Sequence, residues 1–355
     1  MNRKTSKIKF VGLHAHSVAG SIFDALGYPA DHMDFCYKNG GEALALTDHG
    51  NMNGLAYQVL HAKKMQEAGQ DFKPIYGCEA YFIPSIEEWR EEYETAMADK
   101  KRARTAKKDE QSGATVEDAG SSKKTQGILR RRYHLVLLVQ NQTGLSNLFK
   151  LVSESYQSEN FYRYPRIDYK LLKKYNEGII AASACLGGVY AGNYWENRDD
   201  GDTAVLDAMT ETTEKMVDIF GDRWYAEIQW NNVEDQHKLN QYIIQTAQKH
   251  DVKLLSTADS HYTRLGWLGK GGLPSYMESE LPEGVEEVGY ELYPKNGDEM
   301  WASYKKYATE GGFEYDDDLV RESIEESHRI AFDRIEKFFP DNTVRLPSFV
   351  VPAGF

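Results

Sequence analysis

Apolar residues along this chain come in short runs that break off into polar side chains, with segments of helical period between them. Val11 to Leu13 reads as a strand that runs into His14-Ala15-His16, and a strand's period of two turns both imidazoles to one side. Ala30 to Asn39 reads as a helix ended by Gly40-Gly41, and Ala43 to Thr47 as a strand running into Asp48-His49-Gly50. Within Gly54 to Ala68, residues Leu55, Val59, Ala62 and Met65 repeat at helical spacing, and Pro74 to Glu79 is the next strand. The alternation is that of βα units.

From Ser85 to about Arg132 the apolar period fades after Trp89, and Glu, Lys, Arg, Ser and Gly dominate. That composition predicts an exposed, partly disordered insertion over about 85–132. Its cations (Lys100, Lys101, Arg102, Arg104, Lys107, Lys108, Lys123, Lys124, Arg130, Arg131 and Arg132) make a solvated face or a contact to a phosphate backbone. The α/β pattern resumes with a buried strand at Tyr133 to Val139, a helix at Leu145 to Tyr156 and a strand at Ile179 to Cys185. A helix at Val205 to Phe220, a strand at Trp224 to Gln229 and a helix at Val233 to His250 follow. Leu254 to Ala258 then leads into Asp259-Ser260-His261. Irregular, glycine-rich chain continues to about Gly289, with closing helices near Asp298 to Tyr307 and Leu319 to Phe332.

With 355 residues the chain suffices for one large α/β domain or two ordinary ones. No apolar run is long enough to span a bilayer, and no apolar h-region follows Met1 to Lys9, so a cytoplasmic protein without membrane contact is expected. Cys36, Cys78 and Cys185 lie far apart and are odd in number, which argues against a disulfide framework. A net charge of -13 excludes a protein that holds nucleic acid through its overall field, so any such contact is local. Carboxylates gathered around bound cations would account for part of that acidity.

Several predicted strands end in residues that bind cations: His14 and His16, Asp48 and His49, Glu79, Cys185, and Asp259 with His261. Each alone is more commonly a capped or solvated side chain. In a closed parallel barrel, however, strand ends converge on one rim, and residues remote in sequence become neighbours. Imidazole, carboxylate and thiolate suit zinc, manganese or iron, and more than four such groups imply two or three divalent ions. His134 departs from this pattern, because it opens its apolar run instead of closing it.

The segments FVGLHAHS, ALALTDHGNMNGL, IYGCEAYF, YHLVLLVQNQTGLSNLFKLV, YPRIDYKLL, EGIIAASACLGGVY and TADSHY occur in that order over nearly the whole chain. Together they resemble the PHP (polymerase and histidinol phosphatase) domain at the amino end of the bacterial-type DNA polymerase III alpha subunit. YELYPKNGDEMW and VRLPSFVVP resemble the link from that domain to the polymerase body. The resemblance implies an α/β fold, a distorted (β/α)7 barrel over residues 1–290 with its metal cluster at the strands' carboxyl ends, and an extension over 291–355. It implies nine metal ligands: His14, His16, Asp24, His49, Glu79, His134, Cys185, Asp259 and His261. We expect His14, His16, Glu79 and Asp259 to hold the first ion and to act through it and its hydroxide. Glu79, His134 and Cys185 are expected to hold the second, and Asp24, His49 and His261 the third. The activity implied is a metal-dependent phosphoesterase, in the polymerases a 3'-5' exonuclease on DNA. DNA 3' ends, a separately encoded polymerase body and other replisome subunits are the partners implied. A metal-stabilised scaffold for the polymerase and a free-standing phosphatase of the histidinol-phosphate type are the other readings. An amidohydrolase also begins with His-x-His, but no lysine stands where its bridging ligand would be.

Overall fold

The computed structural model describes residues 3–110, 127–128, 130–263, 291–341 and 343. Three strands come first: β1 (Ala43–Leu46), β2 (Lys73–Phe82) and β3 (Tyr133–Val139). Two short ones, β4 (Phe161–Tyr162) and β5 (Tyr164–Pro165), pair only with each other, and β6 (Ile179–Ala182), β7 (Trp224–Gln229) and β8 (Lys253–Thr257) complete the main sheet. Its order is β1-β2-β3-β6-β7-β8.

The extended segment around His14 closes this sheet into a ring. Gly12 bridges Leu44 of β1 in parallel, and Ala15 bridges Ser260, just beyond β8, in parallel. The Ala45 N–H donates to the Gly12 carbonyl at 2.8 Å, and the Ser260 N–H to the His14 carbonyl at 3.1 Å. Six strands and this segment thus make seven staves. The expected all-parallel ring is corrected at one stave: β3 runs antiparallel to both β2 and β6. The chain leaves β2 and enters β3 at the same end of the barrel, so no crossover returns it to the far end.

Alternate residues fill the interior, as the pleat requires: Val11, Leu13, Ala43, Ala45, Ile75, Val136, Leu138, Ile180, Ala182, Tyr225 and Leu255 form one buried cluster. The other parity, including Leu135, Leu137, Ile179, Ala181, Trp224, Ala226 and Ile228, packs under the surrounding helices. Burial on both faces is why these strands read as continuous apolar runs.

The far end of the barrel is plugged by Ile330, Ala331 and Ile335. The helix expected to reach Phe332 is α-helical over Asp317–Arg329 and widens to a π turn over Ile330–Arg334. The buried Lys73 ammonium donates to the Ala331 and Ile335 carbonyls at 2.5 Å each, satisfying groups that the wider turn leaves free. The helix Gly297–Gly311 starts on a capping box of Asn296 and Glu299, and Asp298 in its first turn accepts from the Lys7 and Ile8 N–H groups.

The charged insertion carries a helix that its sequence pattern does not announce. Ile86–Glu110 is a 25-residue α-helix, anchored where Ile86 and Trp89 are buried against Ile83. The Trp89 indole donates to the Ile128 carbonyl at 3.0 Å. Glu, Ala, Lys and Arg are strong helix formers, so the segment needs only one buried turn. Residues 111–126 of that insertion, the irregular stretch over 264–290 and the closing VRLPSFVVP, apart from Thr343 before it, lie outside the described residues. Among the described residues no helix is long and apolar enough to cross a membrane.

Candidate metal centre

The first stave bends at His14: Val11 and Leu13 face the interior, whereas Ala15 packs outward with Met33 and Leu44. Both imidazoles therefore reach the rim. His14 Nε2 lies 3.2 Å from Glu79 Oε1 and 3.2 Å from Asp259 Oδ1. His16 Nε2 lies 3.1 Å from the same Asp259 oxygen and 3.5 Å from Glu79 Oε2.

Glu79 sits at the centre, on β2 at the same parity as the inward-facing Ile75. His134 Nδ1 is 3.0 Å from its Oε1 and His49 Nδ1 is 2.5 Å from its Oε2. The reversal of β3 accounts for His134: its amino end meets the carboxyl end of β2, where Tyr81 pairs with His134. Past β6, Ala184 takes a left-handed φ of 63°, a costly conformation for a residue with a Cβ. The turn brings Cys185 Sγ to 3.7 Å from His134 Nδ1 and 3.9 Å from Glu79 Oε1. The Gly187 N–H donates to that sulfur at 3.4 Å. On the other side, Asp24 Oδ2 is 2.9 Å from His49 Nε2, and His261 Nε2 is 3.1 Å from Asp259 Oδ1. The His16 ring stacks on His49 at 4.2 Å and tilts over His261 at 4.4 Å.

All nine residues named from the sequence therefore meet at one rim. Three overlapping triads, His14-His16-Asp259, His49-Glu79-His134 and His16-His49-His261, each have ligand atoms within 4.8 Å of one another. Asp48, also at a strand exit, stands behind the cluster. It accepts from the Ser17 N–H (2.6 Å), Ser17 Oγ (3.0 Å) and Ser21 Oγ (3.0 Å), which locks the turn that carries His16 and Asp24.

Sequence reasoning missed the groups behind the histidines. Glu227, on β7, lies 2.8 Å from His14 Nδ1 and is itself held by Thr257 Oγ1 at 2.5 Å and Gln229 Nε2 at 3.1 Å. Ser21 Oγ is 3.2 Å from His16 Nδ1, and the Asp24 carbonyl is 3.1 Å from His261 Nδ1. Each of these contacts orients a ring so that Nε2 faces the centre. The available signal for Glu227 was a carboxylate inside the otherwise apolar run Trp224 to Ile228.

The charges are strongly coupled. Burial alone would depress His14, but Asp259, Glu227 and Glu79 outweigh it and hold its pKa well above the usual histidine value. Burial likewise works against ionising Glu79, and His134, His49 and His14 reverse this, holding its pKa well below the usual carboxylate range. His16, desolvated and facing His49 and His261, is pushed down to about 3, so its ring is neutral.

The donor atoms fit cations. His14 Nε2, His16 Nε2, His49 Nδ1, Glu79 Oε2 and Asp24 Oδ1 are buried with no hydrogen-bond partner among the described residues. Their short separations are those of atoms facing a common centre without donor-acceptor alignment. Leaving one such group unsatisfied costs about 1–3 kcal/mol, so a cluster of them calls for a shared partner.

Fold and site together define an α/β barrel whose rim is a candidate polynuclear metal centre. The family model described as the PHP domain matches residues 12–231, and the chain belongs to the PHP domain family. It is 31% identical over 346 residues to the DNA polymerase III subunit alpha of Aquifex aeolicus, covering 97% of this chain and 26% of that protein. With the subunit of the same name from Borreliella burgdorferi it shares 34% identity over 254 residues, 72% of this chain and 18% of the relative. The chain thus spans about a quarter or less of the length of these curated relatives. Among solved structures, an amidohydrolase from Chromobacterium violaceum aligns over 82% of this chain and 96% of its own, at 16% identity and a TM-score of 0.35.

Proposed function

We propose that this chain is the PHP part of a replicative DNA polymerase III alpha subunit and a metal-dependent phosphodiesterase that removes nucleotides from DNA 3' ends. The observation that carries the reading is the convergence of unpartnered His14 Nε2, His16 Nε2 and Glu79 Oε2 on a buried rim, with Asp259 between the two histidines.

His14, His16, Glu79 and Asp259 would hold one ion, Glu79, His134 and Cys185 a second, and Asp24, His49 and His261 a third. Zinc, manganese and iron suit these donors. When bound, such ions supply hydroxide near neutral pH and offset the charge of a phosphodiester. The protein's own groups do the positioning: Glu227 fixes the His14 ring, Ser21 the His16 ring, and Glu79 spans the cluster with both oxygens. Burial first, then Asp259 and Glu79, push the Cys185 thiol well above its usual pKa, which suits a ligand that ionises only on a cation and not a free nucleophile. The extension from residue 291 would lead into the polymerase body, on this chain or a separate one.

The test is release of label from a 3'-labelled single strand in manganese or zinc. The native protein is expected to digest it, and a His14→Ala, Glu79→Ala double variant is not. Equal digestion by the two sinks the exonuclease reading. No digestion by a native protein that carries two or more metal equivalents favours the scaffold, and hydrolysis of a small phosphomonoester alone favours the phosphatase.

A further inference from the structure

Next to the cluster stands an aromatic wall that the metal chemistry does not use. Tyr81 lays its ring parallel to His49, with centroids 6.0 Å apart, and meets His134 edge-on at 5.4 Å. Tyr164 of β5 meets Tyr81 edge-on at 5.1 Å. Over Tyr164, at 3.8 Å from its centroid, lies the guanidinium of Arg132, which is also 5.3 Å from the Tyr81 ring.

Arg132 is poorly partnered for a half-buried cation. Its Nη1 donates to the Arg130 carbonyl at 3.4 Å, a long contact, and its Nε is buried with no partner among the described residues. Among the described residues no carboxylate pairs with it, whereas its neighbour Arg131 pairs with Glu92 at 3.0 Å.

Arginines with a structural task in this fold look different. The guanidinium of the buried Arg166 donates to the Arg131 carbonyl and to the carbonyls of Tyr162 and Tyr164, all at 3.0 Å, and lies over Trp89 at 4.2 Å. By these bonds Arg166 ties the entry of β3 to the β4–β5 hairpin, which sets Arg132 against Tyr164. Gly50 seats the hairpin on the His49 loop, since a Cβ there would stand 2.9 Å from Pro165 and 3.0 Å from Tyr81. The wall is therefore built, and its one underused group is a cation two residues from His134.

We propose that Arg132 binds a backbone phosphate of the single nucleic-acid strand whose end enters the metal centre, with Tyr164 as the residue that positions it. This rests on the phosphodiesterase reading and deepens it, by naming the contact that steers the substrate. A guanidinium held over a ring has already lost much of its freedom and offers a planar fork that matches phosphate geometry. In a chain of net charge -13, a strand needs such a local cation, because the overall field repels it.

The experiment measures binding of a 5'-fluorescein oligothymidylate, made uncleavable by phosphorothioate linkages, by anisotropy over a range of salt. Arg132→Ala is expected to weaken binding about tenfold and to lower the slope of log affinity against log salt by about 0.7, the share of one phosphate on a single strand. Arg132→Lys should restore the slope but not the full affinity, since lysine keeps the charge and loses the fork. Tyr164→Ala should weaken binding with less change in slope. Lys337→Ala, a surface change at the far end of the barrel, should match the native protein. Native affinity and slope in Arg132→Ala overturn the proposal, as does a slope that Arg132→Lys fails to restore. Binding that depends on Arg132 without any digestion of a normal strand would sink the exonuclease reading and leave this contact standing. Digestion by the native protein with binding indifferent to Arg132 does the reverse.

Discussion

Glu227 illustrates how much of a metal site lies behind its ligands. Its carboxylate faces His14 Nδ1 at 2.8 Å, and Thr257 and Gln229 hold that carboxylate in turn, so the ring has one orientation. Such outer partners raise ligand basicity and fix the tautomer. Glu227→Gln is expected to weaken cation affinity about 10- to 100-fold while the metal-free protein keeps its melting midpoint. Competition against a chelator reads the affinity, and an unchanged constant would show that the carboxylate contributes nothing. Of the nine rim residues, His14, His16, His49, Glu79, Cys185, Asp259 and His261 could be named because imidazole, thiol and carboxylate stand out where apolar runs end, whereas Asp24 and His134 came only from the resemblance to the PHP domain. Glu227 could not, because it lies within its run, and a single sequence does not say which parity faces inward until the ring is closed.

At the scale of elements, most strands were legible as continuous apolar runs, because both their faces are buried, and most helices from their period, because one face of each is buried. Two features were not. The direction of β3 left a single trace, His134 at the opening of its run instead of the end, and one polar residue does not set a strand's direction when the long connection before it permits both. Over its described side chains the helix Ile86–Glu110 buries only scattered apolar residues such as Ile86, Trp89 and Ala96, and its sequence carries no continuous apolar stripe of the kind that betrays a packed helix. Where helices do pack, tolerance is small. The helix Gln142–Ser155 starts on Asn141, whose side chain accepts from the Gly144 N–H at 3.0 Å, and a Cβ on Gly144 would come within 1.9 Å of the Gly178 carbonyl. Gly144→Ala is expected to cost about 1–3 kcal/mol through this clash. The urea midpoint should fall with an unchanged m-value, and a native midpoint would show that the helix can move aside.

For the molecule as a whole, the candidate metal centre and the closed ring depend on each other. Its candidate ligands run from His14 to His261, and the segment bearing His14 and His16 joins β1 to the residues after β8. An unfolded chain cannot gather them, so a cation that binds only the closed ring adds RT ln(1 + [L]/Kd), about 2.7 kcal/mol at a hundredfold excess over Kd. Manganese or zinc should therefore raise the melting midpoint over that in chelator, and the His14→Ala, Glu79→Ala double variant should lose the increment. A midpoint indifferent to cations in the native protein would contradict the metal assignment. The reversed strand β3 has one more consequence, for how such a barrel can change over time. Because β2 leaves and β3 enters at the mouth, the intervening chain is a detour that starts and finishes beside the rim that carries the candidate ligands. Its length can grow or shrink without re-threading any stave. The barrel thereby keeps a fixed floor under an editable doorway, and new elements can be inserted at the mouth without disturbing the staves beneath.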